Sequence, residues 1–169
     1  MTDPRHPLRL NVGFLVSAAV GFSRVFSFAY ESIRLGDDLV VADFVGSATF
    51  SRTQQGLLVQ GEFLARLEVE CVRCLEPFLL QVNPTFTDLY AFDRRSLSES
   101  NLLVPEDGQI DLAPLLREYA LLEVPIMPIC RPDCQGLCPV CGENLNLHNC
   151  GHRLSQDDSP FSILKDLLP

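Results

Sequence analysis

No stretch of this 169-residue chain reaches the roughly 20 consecutive apolar residues that span a bilayer, so a membrane-embedded role is not expected. Catalytic signatures are equally scarce: there is no GxSxG, no phosphate-binding P-loop, no GxGxxG after a strand and no HExxH. Of the three histidines, His6 lies near the start, and only His148 and His152 stand where they could serve as bases. Carboxylates are plentiful, but no spacing singles out an acid and base pair, and an enzyme is not expected. Basic segments are also missing. The chain carries a formal charge of −9 with a single lysine, Lys165, and acidic residues outnumber basic ones in each of the segments 1–70, 71–128 and 129–169. Binding to phosphate backbones depends on Lys and Arg neutralising phosphates, so a chain of this balance is a poor stand-alone nucleic-acid binder unless folding gathers its arginines onto one face.

What is present first is β pattern. From Val59 to Cys71 the residues Val59, Gly61, Phe63, Ala65, Leu67, Val69 and Cys71 alternate with Gln60, Glu62, Arg66, Glu68 and Glu70, which predicts a long half-buried strand. Upstream, 40–50 is β-rich, and 51–56 (SRTQQG) supplies a hairpin connection. Downstream, Phe78, Leu80, Val82 and Phe86 alternate up to Tyr90 and Phe92, with Pro84 marking an edge or bulge. Val12 to Phe22, apolar after Arg5 and Arg9, imitates a targeting signal, but Asn11 and Ser17 interrupt it and the aromatics Phe22, Phe26, Phe28 and Tyr30 read as further folded strands.

Residues 93–110 form a polar excursion that ends at Asp111, placed to cap a helix over 111–123. Its apolar stripe is Leu112, Leu115, Leu116, Tyr119 and Leu122; Pro114 is tolerated in the first turn and Pro125 enforces the stop. Ser159 and Pro160 open a short amphipathic helix with Phe161, Leu164, Leu167 and Leu168 on its apolar side.

The chemistry of the chain is concentrated between Cys130 and Cys150, where five of its seven cysteines fall. Cys138-Pro139-Val140-Cys141-Gly142 has the form of a zinc knuckle: two thiolates two residues apart bind one tetrahedral ion, and the glycine lets the backbone fold beneath the sulfurs. An odd number of cysteines leaves a thiol over in any wholly intramolecular disulfide scheme, and the chain is long enough to bury a core without staples. Both facts favour a reducing, cytoplasmic setting. The expected ligands of a structural zinc are Cys138 and Cys141, completed by Cys134 and Cys150, with Cys130 and His152 as alternates. A second CxxC, Cys71 and Cys74, stands at a hairpin end. Its first reading is as turn and core residues, with half of a zinc ribbon shared with Cys138 and Cys141, or a redox pair, as the alternatives. Arg73 between them reads as a solvated turn residue or an anion contact. Because the loop offers ligands in excess, a closed structural site is expected in preference to a catalytic one.

Three segments together, CVRCLEPF at 71–78, IDLAPLLREYALLEVPIMP at 110–128 and CRPDCQGLCPVCGENLN at 130–146, resemble the YceD-like family of large ribosomal RNA subunit accumulation proteins. The resemblance covers roughly residues 59–146, and the family's cysteine positions fall on Cys71, Cys74, Cys130, Cys134, Cys138 and Cys141. It implies a bacterial or plastid protein that supports synthesis, processing or accumulation of large-subunit ribosomal RNA without established enzymatic activity. The charge of −9 then points to a basic protein partner, a ribosomal protein or assembly factor, with direct ribosomal RNA contact the alternative. A zinc-stabilised interaction module outside ribosome biogenesis, or a thiol redox protein, are the competing functions. The expected fold is α+β: an antiparallel sheet forming a partly closed barrel or sandwich with a packed helix over 1–128, then a zinc-binding cysteine loop and a short helix over 129–169.

Overall fold

The computed structural model describes residues 7–98 and 100–152, so the expected helix after Ser159 lies outside the described residues. The chain runs through β1 (Arg9–Asn11), a single turn of helix α1 (Gly13–Val16), β2 (Ser23–Arg34), β3 (Val40–Arg52), β4 (Gly56–Glu70), β5 (Pro77–Val82), β6 (Thr85–Ala91), β7 (Gln109–Asp111) and α2 (Ala113–Leu122). Runs rich in β-branched and aromatic residues account for β2 to β4, with the pairing of β3 to β4 shifting register between Ala42 and Val45. In β4 every second residue from Val59 to Leu67 is buried, as the alternation predicts. The β3–β4 turn is closed by Thr53, whose backbone N–H and hydroxyl both donate to the Gly56 carbonyl at 2.9 Å.

Strand β4 is the centre of a five-stranded antiparallel sheet ordered β2-β3-β4-β5, with β6 also on β4. Its first half, Gly56 to Glu62, pairs with β6. The chain breaks between β5 and β6 at Asn83 and Pro84, where Phe63 N–H still donates to the Pro84 carbonyl at 3.1 Å. Proline cannot donate to the ladder, so the interruption falls where the sequence marked it. Phe63 stands in the middle of an aromatic ladder: its ring lies 5.8 Å from Phe28, 5.1 Å from Phe44 and 6.1 Å from Phe86. The ladder reaches α2 through Phe86 and Tyr119, 5.2 Å apart, and the Tyr119 hydroxyl donates to Asp88 at 3.0 Å. Gly61 makes room for it, since a Cβ there would stand 2.4 Å from the Phe86 ring.

Two expectations are corrected. The sheet is open. A barrel needs the edge strands of one sheet hydrogen-bonded to each other, whereas among the described residues β2 pairs with neither β5 nor β6, and β1 and β7 pair in a separate two-stranded sheet. That short pair was not anticipated, because three-residue strands are too brief to show alternation. In α2 the stripe also stops short: Leu115, Leu116 and Ala120 are buried, but Leu122 is 79% exposed. Asp111 sits one position ahead of the N-cap residue Leu112, and its carboxylate accepts from Ala113 N–H at 2.9 Å.

Two compact units divide the chain, one built from residues up to Glu68 with Leu79–Pro125, the other from Val69–Phe78 with the chain from Ile126 onward. The tip of the β4–β5 hairpin thus groups with the cysteine-rich loop, not with the strands that carry it. The first unit contains the aromatic core. In the second, the buried side chains among the described residues are Cys71, Cys74, Cys134 and Cys138, with Phe78 and Ile129 only partly buried against the first three. Sulfur occupies the place that leucine and phenylalanine fill in an ordinary core.

Candidate metal centre

The two CxxC sequences fold into the same turn. At the first, Cys71 N–H donates to the Glu76 carbonyl at 3.0 Å and Leu75 N–H donates back to the Cys71 carbonyl at 2.9 Å. At the second, Cys138 N–H donates to the Glu143 carbonyl at 2.8 Å and Gly142 N–H to the Cys138 carbonyl at 2.8 Å. The residue after the second cysteine has positive φ in both: +58° at Leu75 and +75° at Gly142. Each turn therefore presents two sulfurs on one side above a ring of backbone N–H groups. Glycine adopts that conformation freely, whereas leucine does so at a cost, which is why only the second CxxC announces itself as a knuckle in sequence.

Each turn gathers a different second pair. Cys71 and Cys74 meet Cys130 and Cys134; Cys138 and Cys141 meet Cys150 and His152; within each group the ligand atoms all lie within 4.8 Å of one another. In the first group, Cys71 Sγ is 3.8 Å from Cys134 Sγ, and Cys74 Sγ is 3.8 Å from Cys130 Sγ. A disulfide would need about 2.05 Å, whereas the edge of a zinc tetrahedron with bonds of about 2.3 Å is about 3.8 Å. In the second group, Cys138 Sγ lies 3.9 Å from His152 Nδ1. No cysteine is disulfide-bonded. Both donor sets are compatible with zinc.

Electrostatics inside each group splits the sulfurs. Burial opposes ionisation of Cys71, but the backbone N–H groups of Cys130, Cys74 and Arg73 bring its pKa down to about 6. Burial and the neighbouring Cys134 and Cys71 sulfurs push Cys130 up to about 12. In the second group, the backbone N–H groups of Cys141 and Val140 draw Cys138 down to about 6. Cys141 is favoured as thiolate by the Glu143 backbone, yet burial and the Cys138 and Cys150 sulfurs raise it on balance. One thiolate thus suppresses the ionisation of its neighbours, a repulsion that a divalent cation at the centre removes.

Relative to the expected set, the structure places Cys138, Cys141 and Cys150 together and sets His152 beside them, while Cys134 belongs with Cys71, Cys74 and Cys130. The shared ribbon of Cys71, Cys74, Cys138 and Cys141 does not form, because each turn closes on its own partners. Cys134 and Cys138, four residues apart, part company at Gly136. Its φ is +76°, and a Cβ there would stand 2.9 Å from the Arg73 carbonyl, to which Leu137 N–H donates at 3.0 Å. Arg73 itself folds inward, donating through Nη1 to the Cys134 carbonyl at 3.0 Å.

Asn146 escaped the sequence reading. Its Nδ2 lies 3.4 Å from Cys134 Sγ as a donor, and its Oδ1 accepts from Gln135 N–H and Arg131 Nη2, both at 2.9 Å. Asn144 accepts from the Asn146 amide at 2.8 Å and so orients it. An amide that steadies a sulfur ligand carries no spacing signal, since the approach of 144–146 to Cys134 exists only after folding.

With an open antiparallel sheet and a pair of sulfur-rich groups of four close donors on the page, the class is a β-sheet protein with a cysteine-built second unit. The chain belongs to the family described as large ribosomal RNA subunit accumulation protein YceD, whose model matches residues 59–168. An uncharacterised protein of Mycobacterium bovis is 36% identical, over 99% of this chain and 86% of that one. One of Mycobacterium leprae is 31% identical, over 80% of this chain and 65% of that one. A chloroplastic protein of Arabidopsis thaliana, named large ribosomal RNA subunit accumulation protein YCED homolog 1, is 35% identical over 37% of this chain and 20% of its own. No solved structure matches the chain. Among the described residues no helix is long and apolar enough to cross a membrane.

Proposed function

We propose that this protein is a non-catalytic factor that supports accumulation of large-subunit ribosomal RNA in the bacterial cytoplasm, with zinc held by Cys71, Cys74, Cys130 and Cys134 organising its contact region. Family membership carries this reading, together with the names of the plant relatives. The four sulfurs join a hairpin tip to a loop more than fifty residues away in sequence, the task of a closed structural site with no coordination position left for water. Its partner is a basic protein, a ribosomal protein or large-subunit assembly factor. A surface of net charge −9 attracts such a partner and repels bare RNA.

Depletion of the protein in its host lowers the ratio of large- to small-subunit ribosomal RNA, and wild-type chain restores it. An unchanged ratio overturns the assignment. Binding at matched salt to purified large-subunit RNA, with and without large-subunit proteins, identifies the partner: tight, salt-sensitive binding to RNA alone would replace the protein partner with direct RNA recognition.

A further inference from the structure

We infer that the chain binds two zinc ions, the second at Cys138, Cys141, Cys150 and His152, independently of the first. The inference extends the zinc assignment made above from one site to two. Three observations carry it. The turn at Cys138 reproduces the turn at Cys71 bond for bond: the cysteine N–H donates to the carbonyl five residues on, and the N–H four residues on donates back, in both cases at 2.8 to 3.0 Å. The two ligand groups share no residue, so a second ion removes no donor from the first. The remaining pair of the second site is also presented by a left-handed glycine, Gly151 at φ +74°, set between Cys150 and His152 and steadied by its N–H donating to Asn149 Oδ1 at 3.0 Å. Three sulfurs and one imidazole nitrogen form one of the standard closed zinc sets, and the Cys138 Sγ to His152 Nδ1 separation of 3.9 Å is close to the about 3.6 Å edge such a tetrahedron requires.

An alternative purpose for this cluster would be packing, as reduced cysteines often serve as small hydrophobes. The surroundings argue against it. Cys141 is exposed and Cys150 only half-buried, and neither contributes to an apolar core. Four soft donors converge where packing has no use for them.

Native mass spectrometry and metal analysis of the full chain, purified without chelator, test the inference. Two zinc ions per chain are expected, falling to one in His152→Ala and in Cys141→Ser, both at exposed positions, while Cys74→Ser loses the other ion. His152→Cys retains two ions, and its cobalt-substituted form shows the sulfur-to-cobalt charge-transfer band gaining intensity over the wild type. One ion per chain that survives His152→Ala but is lost in Cys74→Ser overturns the second site and leaves the first standing. One ion lost in both Cys74→Ser and Cys141→Ser would mean a single shared site and overturns it as well. Chain devoid of metal removes both sites.

Discussion

At the scale of single residues, Leu75 and Asn146 carry the most informative consequences. Leu75 holds φ at +58° so that the Cys71 turn closes, and its side chain is 60% exposed. A left-handed conformation costs an L-residue about 1 to 2 kcal/mol, more when it is β-branched. Leu75→Gly is therefore expected to stabilise the protein by up to about 1 kcal/mol after the added chain entropy of glycine, and Leu75→Val to destabilise it by about 1 kcal/mol or more. Denaturant midpoints of the two variants check the signs. Asn146 donates toward Cys134 Sγ from outside the ligand set, and removing such a supporting hydrogen bond typically weakens metal binding 10- to 100-fold. Asn146→Ala should thus lose zinc to a competing chelator at about a tenth to a hundredth of the wild-type affinity for one ion, with the other unchanged. Neither residue was legible as functional. A leucine after CxxC and an asparagine in a polar loop have no pattern of their own, and their roles arise from a backbone angle and an approach in space.

At the scale of elements, α2 distinguishes pattern from placement. The period of 3.6 correctly picks out Leu115 and Leu116, but it also includes Leu122, which the helix leaves outside at 79% exposure. The helix ends there as Val124 N–H closes a tighter turn on the Leu121 carbonyl at 3.2 Å and Pro125 has no backbone donor to continue the ladder. Leu116→Ala should cost about 2 to 5 kcal/mol through cavity formation, whereas Leu122→Ala stays within about 0.5 kcal/mol. Equilibrium unfolding measures both, and equal losses would return Leu122 to the core. In β4 the alternation needed no correction, since period two admits a single buried face and one partner strand on each side suffices to fix it. The openness of the sheet, by contrast, rests on β2 meeting neither β5 nor β6, a long-range relation that no local periodicity records.

At the scale of the molecule, the two units differ in what holds them. The first buries Phe44, Phe50, Leu57, Leu67 and Leu116 in an ordinary apolar core. In the second the buried side chains among the described residues are Cys71, Cys74, Cys134 and Cys138, far too little apolar surface to offset the entropy of ordering its chain. On the proposed zinc assignment, metal coordination supplies the term that folds it, as in other small cysteine-built bodies. Removing zinc with a strong chelator should abolish amide protection at 71–76 and 130–152 while strands β2 to β6 keep theirs, as hydrogen exchange followed by mass spectrometry would record. Protection persisting in the loop after metal loss would show that the sulfurs pack unaided. Restoration of the ribosomal RNA ratio by wild-type chain but not by Cys74→Ser would connect that body to the proposed function.

The long central strand, the hairpin, the helix after Asp111, the acidic charge balance and the presence of a knuckle all follow from the chain by itself. Each is a local property: side-chain periodicity, a turn residue or a charge count is complete within a few positions. The family, too, is written in short motifs. Which sulfur meets which is not local. Cys134 lies four residues from Cys138 yet sixty from Cys74, and only the folding of the hairpin tip against the loop at Gly136 sends it to the distant partner. Ligand pairing is a matter of distances in space, so tertiary structure alone resolved one excess of cysteines into two separate four-residue groups.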